Sequence, residues 1–180
     1  MQDYILTYTK TKFYPLEPKA EDIHIEDIAH SLSQMARANG HFKSFYSVAQ
    51  HSINCCLEAK ERGMLWKVQL GCLLHDASEA YLADITRPVK KYLTDYLTFE
   101  DKLQKAIFNY FGIGDISDDE LSQIKEIDDA MLFYEFRELM GEDLYKEIPY
   151  IAKKHDFSLR SFEEVENEFI CLSKGEMKWK

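Results

Sequence analysis

The sequence predicts an all-α fold: a helical bundle with a short N-terminal β-hairpin or extended arm. Three observations carry this reading. Apolar residues recur at helical spacing, as in Ile25, Ile28, Ala29, Leu32, Met35 and Ala36. Three segments open on the serine-x-x-Gln/Glu signature of a helix N-terminus: Ser47 with Gln50, Ser117 with Glu120, and Ser161 with Glu164. Strand-like alternation of apolar and polar residues is found at residues 4–8, followed by Lys10-Thr11-Lys12.

Length and composition set the frame. A chain of 180 residues with 46% hydrophobic content, 7 glycines and 4 prolines suits one ordered domain with a proper core. A net charge of −10 argues against non-specific binding to nucleic acid or anionic membrane. A phosphate substrate stays compatible if local cations or a metal supply the attraction. Cys55, Cys56, Cys72 and Cys171 form no CxxC pair, and most lie in apolar helical patterns. We therefore expect reduced, buried thiols in a cytoplasmic protein rather than a disulfide framework or structural zinc site. Residues 1–10 hold no apolar signal core and no run of 18 apolar residues exists, so neither a signal peptide nor a membrane span is expected.

Taken in order, residues 1–20 form the arm, closed by Pro15 and Pro18 and read as a lid or edge rather than core. A helix is predicted over 21–38, stopped by Asn39-Gly40. The next starts at Ser47 and ends before Gly63, with His51 in its first turn or so. A third covers about 65–74 and delivers His75-Asp76 at its end. Residues 77–82 add a helical turn, broken at Asp84-Ile85-Thr86-Arg87-Pro88, and Pro88 starts a short helix to residue 93. Thr98 opens a helix that Gly112 ends. A long one runs over 118–140 with Asp128 mid-helix, and a last one over about 162–174, followed by a frayed tail to Lys180. No repeat or linker divides the chain. Residues 21–140 form the core and 141–180 a helical extension.

The stretch from Leu73 to Asp84 is the chemical centre. An apolar lead-in runs into His75-Asp76, and Glu79 and Asp84 follow. Buried charge without a partner costs several kcal/mol or shifts its pKa, so such groups need a partner, and a divalent metal is one. His51, His75, Asp76 and Asp128 lie on three predicted helices and could converge inside a bundle. Two imidazoles and two carboxylates suit Mn, Co, Fe or Zn, and Mg less well. Taken singly, each has an ordinary reading: a packed or surface histidine, or a solvated aspartate beside Asp129. The combination is what informs.

His51, His75-Asp76 and Asp128 resemble the H…HD…D signature of the HD superfamily of metal-dependent phosphohydrolases. The sequence His75-Asp76-Ala77-Ser78-Glu79 and the Asp84-x-x-x-Pro88-Val89-Lys90 extension are similar to the small bacterial HD-domain 5′-deoxynucleotidases, as is Val48-Ala49-Gln50-His51-Ser52. Related small members, some encoded by phages, are deoxynucleoside triphosphohydrolases. The likeness spans residues 25–140. It implies an HD-domain helical bundle and one divalent metal held by His51, His75, Asp76 and Asp128.

The resemblance further implies that Glu79 positions or deprotonates the attacking water. It gives Asp84 a role in orienting water or leaving group; as a bare sequence, Asp84 reads equally well as a turn residue before Thr86. Arg37 is the candidate phosphate clamp. In the nucleotidases a tryptophan follows that arginine, where this chain has Ala38. Arg87, Lys90 and His41 are further substrate-binding candidates, with surface solvation the ordinary alternative. His30 and Tyr81 read as packing residues. The expected function is dephosphorylation of deoxynucleoside 5′-monophosphates. The alternatives are release of triphosphate from a dNTP, such as dATP, and a non-catalytic nucleotide- or protein-binding module. Family members are commonly homo-oligomers, so a dimer or higher assembly is expected, with neither a nucleic-acid polymer nor a membrane as partner.

Overall fold

A computed structural model describes residues 3–175. The hairpin is present: β1 (Ile5–Leu6) pairs antiparallel with β2 (Lys12–Phe13), Ile5 opposite Phe13. Thr9 at its tip is fastened to α1 (Ile25–Gln34), its backbone N–H and hydroxyl donating to the two carboxylate oxygens of Asp27 at 2.7 and 2.9 Å. Tyr8 stacks on His30 with ring centroids 3.8 Å apart, and Glu166 lies 3.0 Å from Nδ1 at the edge of that imidazole. The arm is more than a lid or edge. Phe13 is fully buried in the main core and stacks on Tyr81 at 3.9 Å. Phe13→Ala should therefore destabilise the protein by about 3–5 kcal/mol in urea titration, as for any buried phenylalanine; a change under about 1 kcal/mol would return the arm to the periphery.

Ile25–Gln34 is shorter than the sequence suggested. Met35 turns extended, and Ala36 bridges Ser47 while Arg37 N–H donates to the Tyr46 carbonyl at 2.9 Å. The chain leaves the helix to make this bridge, which lays Arg37 beside the start of α2 (Val48–Glu61). Ser47 and Gln50 close the expected capping box there. Beyond it come α3 (Trp66–Leu74), α4 (Glu79–Leu82) and α5 (Arg87–Lys90). Next, α6 (Thr94–Tyr110) begins a turn earlier than the Thr98 signal, because Thr98 hydroxyl donates back to the Thr94 carbonyl inside the helix instead of capping it. The last two, α7 (Asp118–Met140) and α8 (Phe162–Ser173), start at their predicted boxes, and α7 stops on Gly141 at φ 77°. The expected fraying of the tail falls on residues 176–180, outside those described.

The bundle is built round α2, which touches α1, α3, α7 and α8. Val48 to Cys56 is buried without interruption, so its polar residues need internal partners. Gln50 donates to the Ser158 carbonyl and Asn54 to the Asp156 carbonyl. Glu58 receives Arg62, the Ala152 N–H and His155. These bonds strap the irregular stretch after α7 onto the bundle. Gly71 lets α3 approach α7, since a Cβ there would meet Ile124 at 2.4 Å. All four cysteines are free thiols; Cys55, Cys56 and Cys72 are buried and Cys171 half-buried. Among the described residues, no helix is long and apolar enough to cross a membrane.

Candidate metal centre

Three helices and a turn bring the four sequence candidates together. His51 comes from the first turn of α2, His75 from the C-terminal end of α3, Asp76 from the turn after it, and Asp128 from the middle of α7. His51 Nε2 lies 3.2 Å from His75 Nε2, 3.2 Å from Asp128 Oδ1 and 3.8 Å from Asp76 Oδ2. His75 Nε2 lies 3.4 Å from Asp76 Oδ2 and 3.8 Å from Asp128 Oδ1.

Each imidazole is pinned by its other nitrogen. His75 Nδ1 donates to the Cys72 carbonyl at 2.8 Å, and a carbonyl only accepts, so Nδ1 carries the proton. His51 Nδ1 is 2.5 Å from Glu135 Oε1. Both rings therefore turn Nε2 to the same point, the arrangement that metal-binding histidines require. The residues fit a divalent ion. At His51 Nε2 the neighbours pull both ways, for Asp128 favours a proton while Arg37 Nη2, at 3.1 Å, can donate only to a lone pair. Burial, then Arg37, draw the His51 pKa down, yet the acidic groups around it, Glu135 and Asp128 among them, bring it on balance well above the usual imidazole value, and a metal bound there displaces a proton.

His51, Cys55 and His75 also offer ligand atoms within 4.8 Å of one another and could hold a metal ion. Cys55 had no assigned role in the sequence, though its spacing from His51 places both on one helix face. Its sulfur is 3.6 Å from His51 Nε2 and 4.0 Å from Nδ1, so it lies against the ring; an atom along the Nε2 lone pair would be much farther from Nδ1. Burial pushes the thiol up to about 11, so a metal bound there would have to displace its proton. The carboxylates are better donors. Burial alone would raise Asp76 and Asp128, but His75 and Arg37 hold Asp76 low, and His51 and His75 hold Asp128 low.

Asp76 and Asp128 line a pocket of about 400 Å³, with His51 and His75 behind them, and its polar lining also includes Arg37, Glu79, Asp84, Arg87 and Lys90. Arg37 Nη1 donates to Asp76 Oδ2 at 3.0 Å, and its Nη2 lies 3.6 Å from Asp128. Burial disfavours its charge, but Glu135, Asp76 and Asp128 outweigh burial. Glu79 is 4% exposed, and its Oε2 has no hydrogen-bond partner among the described residues. Burial, Asp76 and Asp84 push its pKa up to about 10. Asp84 is raised too, first by burial. Arg87 spans Asp128 and Asp129, and Lys90 lies 3.6 Å from Glu79 and 2.5 Å from Glu100. Its apolar lining includes Leu132, Phe136, Leu144 and Tyr145.

Strained backbone flanks the site. Ala38, next to Arg37, has φ 54°, and Ala83, next to Asp84, has φ 135°. Such non-glycine conformations cost on the order of 1–3 kcal/mol and gather at functional sites. His41 is exposed and does not line the pocket. Glu135 escaped the sequence reading, although its position two turns beyond Asp128 puts both carboxylates on one face of α7.

Two proteins share this sequence over much of its length. The Uncharacterized protein YfdR of Escherichia coli strain K12 is 36% identical over 140 residues, 78% of this chain and 74% of YfdR. The Uncharacterized protein RCAP_rcc00048 of Rhodobacter capsulatus is 39% identical over 103 residues, 54% of this chain and 53% of its own. No family model matches the chain.

Proposed function

The chain belongs to the same family as YfdR, and from the geometry of its candidate metal centre we propose that it is a divalent-metal-dependent phosphohydrolase of the HD type, acting on deoxynucleoside 5′-monophosphates. The observation that carries the proposal is the convergence of His51, His75, Asp76 and Asp128, the two aspartates lining a pocket that also holds Arg37 and a buried Glu79 whose Oε2 has no hydrogen-bond partner among the described residues. His51, His75, Asp76 and Asp128 would hold the ion. When bound, it supplies neutralising charge for a phosphate oxygen and lowers the pKa of the attacking water.

The chain's own groups do the rest. Arg37 binds the phosphate, its guanidinium matching two oxygens. Water attacks phosphorus and the ester P–O bond breaks. Glu79 takes the water proton at Oε2. Burial first, then Asp76 and Asp84, hold its pKa up to about 10; a cation offsetting the Asp76 charge would lower it toward the range of a base. Asp84, which also lines the pocket, orients the departing 5′-oxygen, and the proton that Glu79 took passes to that oxygen, returning Glu79 to its carboxylate. Lys90, beside Glu79, stabilises the carboxylate form that begins the next cycle.

The pocket's charge favours a monophosphate over a triphosphate. It carries three cations, Arg37, Arg87 and Lys90, against four carboxylates, Asp76, Glu79, Asp84 and Asp128, and all three cations are already paired with carboxylates. A triphosphate brings more negative charge and needs further cations. The apolar lining with Phe136 and Tyr145 suits a nucleoside.

The test is a product assay. Protein stripped of metal and resupplied with cobalt or manganese is given each dNMP and each dNTP, and products are separated by chromatography. Inorganic phosphate and deoxynucleoside from dNMPs are expected. Intact triphosphate from a dNTP would replace the monophosphate reading with the triphosphohydrolase one. Metal binding without turnover of either class would remove both.

A further inference from the structure

Glu135 is fully buried on α7, and no step above uses it. A carboxylate in that position is costly unless its oxygens are paired. Its two oxygens are divided between two groups of the candidate site: Oε1 is 2.5 Å from His51 Nδ1, and Oε2 accepts from Arg37 Nε at 3.4 Å. It stands on the Nδ1 side of the His51 ring, while His75, Asp76 and Asp128 face Nε2. It is therefore misplaced to be a fifth ligand of the same ion. It is well placed to set two things together: which nitrogen of His51 is left for the metal, and where Arg37 is held relative to Asp76 and Asp128.

We propose that Glu135 is a positioning residue that fixes His51 as an Nε2 ligand and holds Arg37 at the phosphate end of the pocket. This rests on the metal-centre reading. A carboxylate accepting from a ligating imidazole orients the ring and makes it a stronger donor, and loss of such a partner costs about 10–100-fold in metal affinity or activity. Here the same carboxylate also steers the anion-binding arginine, so metal and phosphate binding should weaken together when it is neutralised.

The experiment compares wild type with Glu135→Gln, an amide of the same shape. Cobalt(II) binding is read by calorimetry and by the cobalt ligand-field absorption, inorganic phosphate binding to the cobalt-loaded protein by calorimetry, and melting temperature in chelator. The expected result is a folded variant whose cobalt affinity falls 10–100-fold, whose cobalt spectrum shifts and whose phosphate affinity falls as well. A role confined to filling the core would lower the melting temperature and leave the cobalt spectrum and affinity unchanged, and that outcome overturns the inference. If the variant does not fold, nitrogen NMR of zinc-loaded wild type decides. His51 protonated at Nδ1 and metal-bound at Nε2 supports the role; the reverse overturns it. Wild type that binds no cobalt would instead bring down the metal centre itself, a failure visible before any variant is made.

Discussion

Glu79→Gln should lower kcat about 10²–10⁴-fold while leaving metal affinity within about twofold of wild type. Glu79 stands at the start of α4, its N–H bonded to the Asp76 carbonyl at 3.0 Å, so it lies one turn beyond the aspartate that would hold the ion. The amide keeps the shape but cannot take a proton from water. Metal binding survives because Glu79 is not among the groups clustered around His51 Nε2. The same substitution carries a pH signature. Burial, then Asp76 and Asp84, raise the Glu79 pKa from 4.5 to about 10. A carboxyl raised on folding gives stability that is fully present below its unfolded pKa and is lost as pH rises toward its folded pKa. In chelator, wild type should therefore lose stability between about pH 4.5 and 10, and Glu79→Gln should lack that slope and be the more stable protein at pH 9. Steady-state kinetics and urea titrations across pH check both halves. A near-normal kcat would remove Glu79 from the chemistry, and parallel pH profiles would show that its proton is not held as argued.

How much of this was legible in the sequence varies residue by residue. Ser47, Ser117 and Ser161 announced three helix starts because a capping box is local: four residues contain both donors and both acceptors. The end of α1 was not legible, because what ends it is the bridge from Ala36 to Ser47, which no local pattern encodes. Phe13 looked like part of an arm for a similar reason. Its burial depends on Tyr81, far along the chain. In the site, His51, His75, Asp76 and Asp128 were read from residue type and spacing, and the structure brings them within 4 Å contacts of one another through His51 and His75. His41 was placed near substrate only by its closeness in sequence to Arg37, and the left-handed turn at Ala38 and Asn39 leaves it in solvent. Glu135 looked like one more acid on a helix rich in them. Only the identity of the ring and guanidinium facing it gives it meaning.

The adjacent aspartates on α7 provide the sharpest separation of site from surface. Asp128→Asn should abolish measurable metal binding and lower activity on the order of a thousandfold or more, the equivalent of several kcal/mol of transition-state stabilisation. Asp129→Asn should leave both nearly unchanged. From sequence the two are interchangeable, yet one helical step turns them apart. Asp128 puts Oδ1 3.2 Å from His51 Nε2 and 3.8 Å from His75 Nε2, with a side chain 16% exposed. Asp129, 36% exposed, meets Arg87 and Lys125, and exposed pairs of that kind contribute about 0–1 kcal/mol. The asparagine at 128 retains size and hydrogen bonding but not the charge that a divalent ion and two imidazoles require. Arg87, which bonds both aspartates, keeps Asp129 as a partner in the Asp128 variant, so loss of activity there cannot be assigned to a released arginine. Metal content after desalting, cobalt absorption and turnover, measured on both variants, form the check. Equal losses at 128 and 129 would mean that the pair acts through Arg87 and the pocket mouth, and that Asp128 is not a ligand.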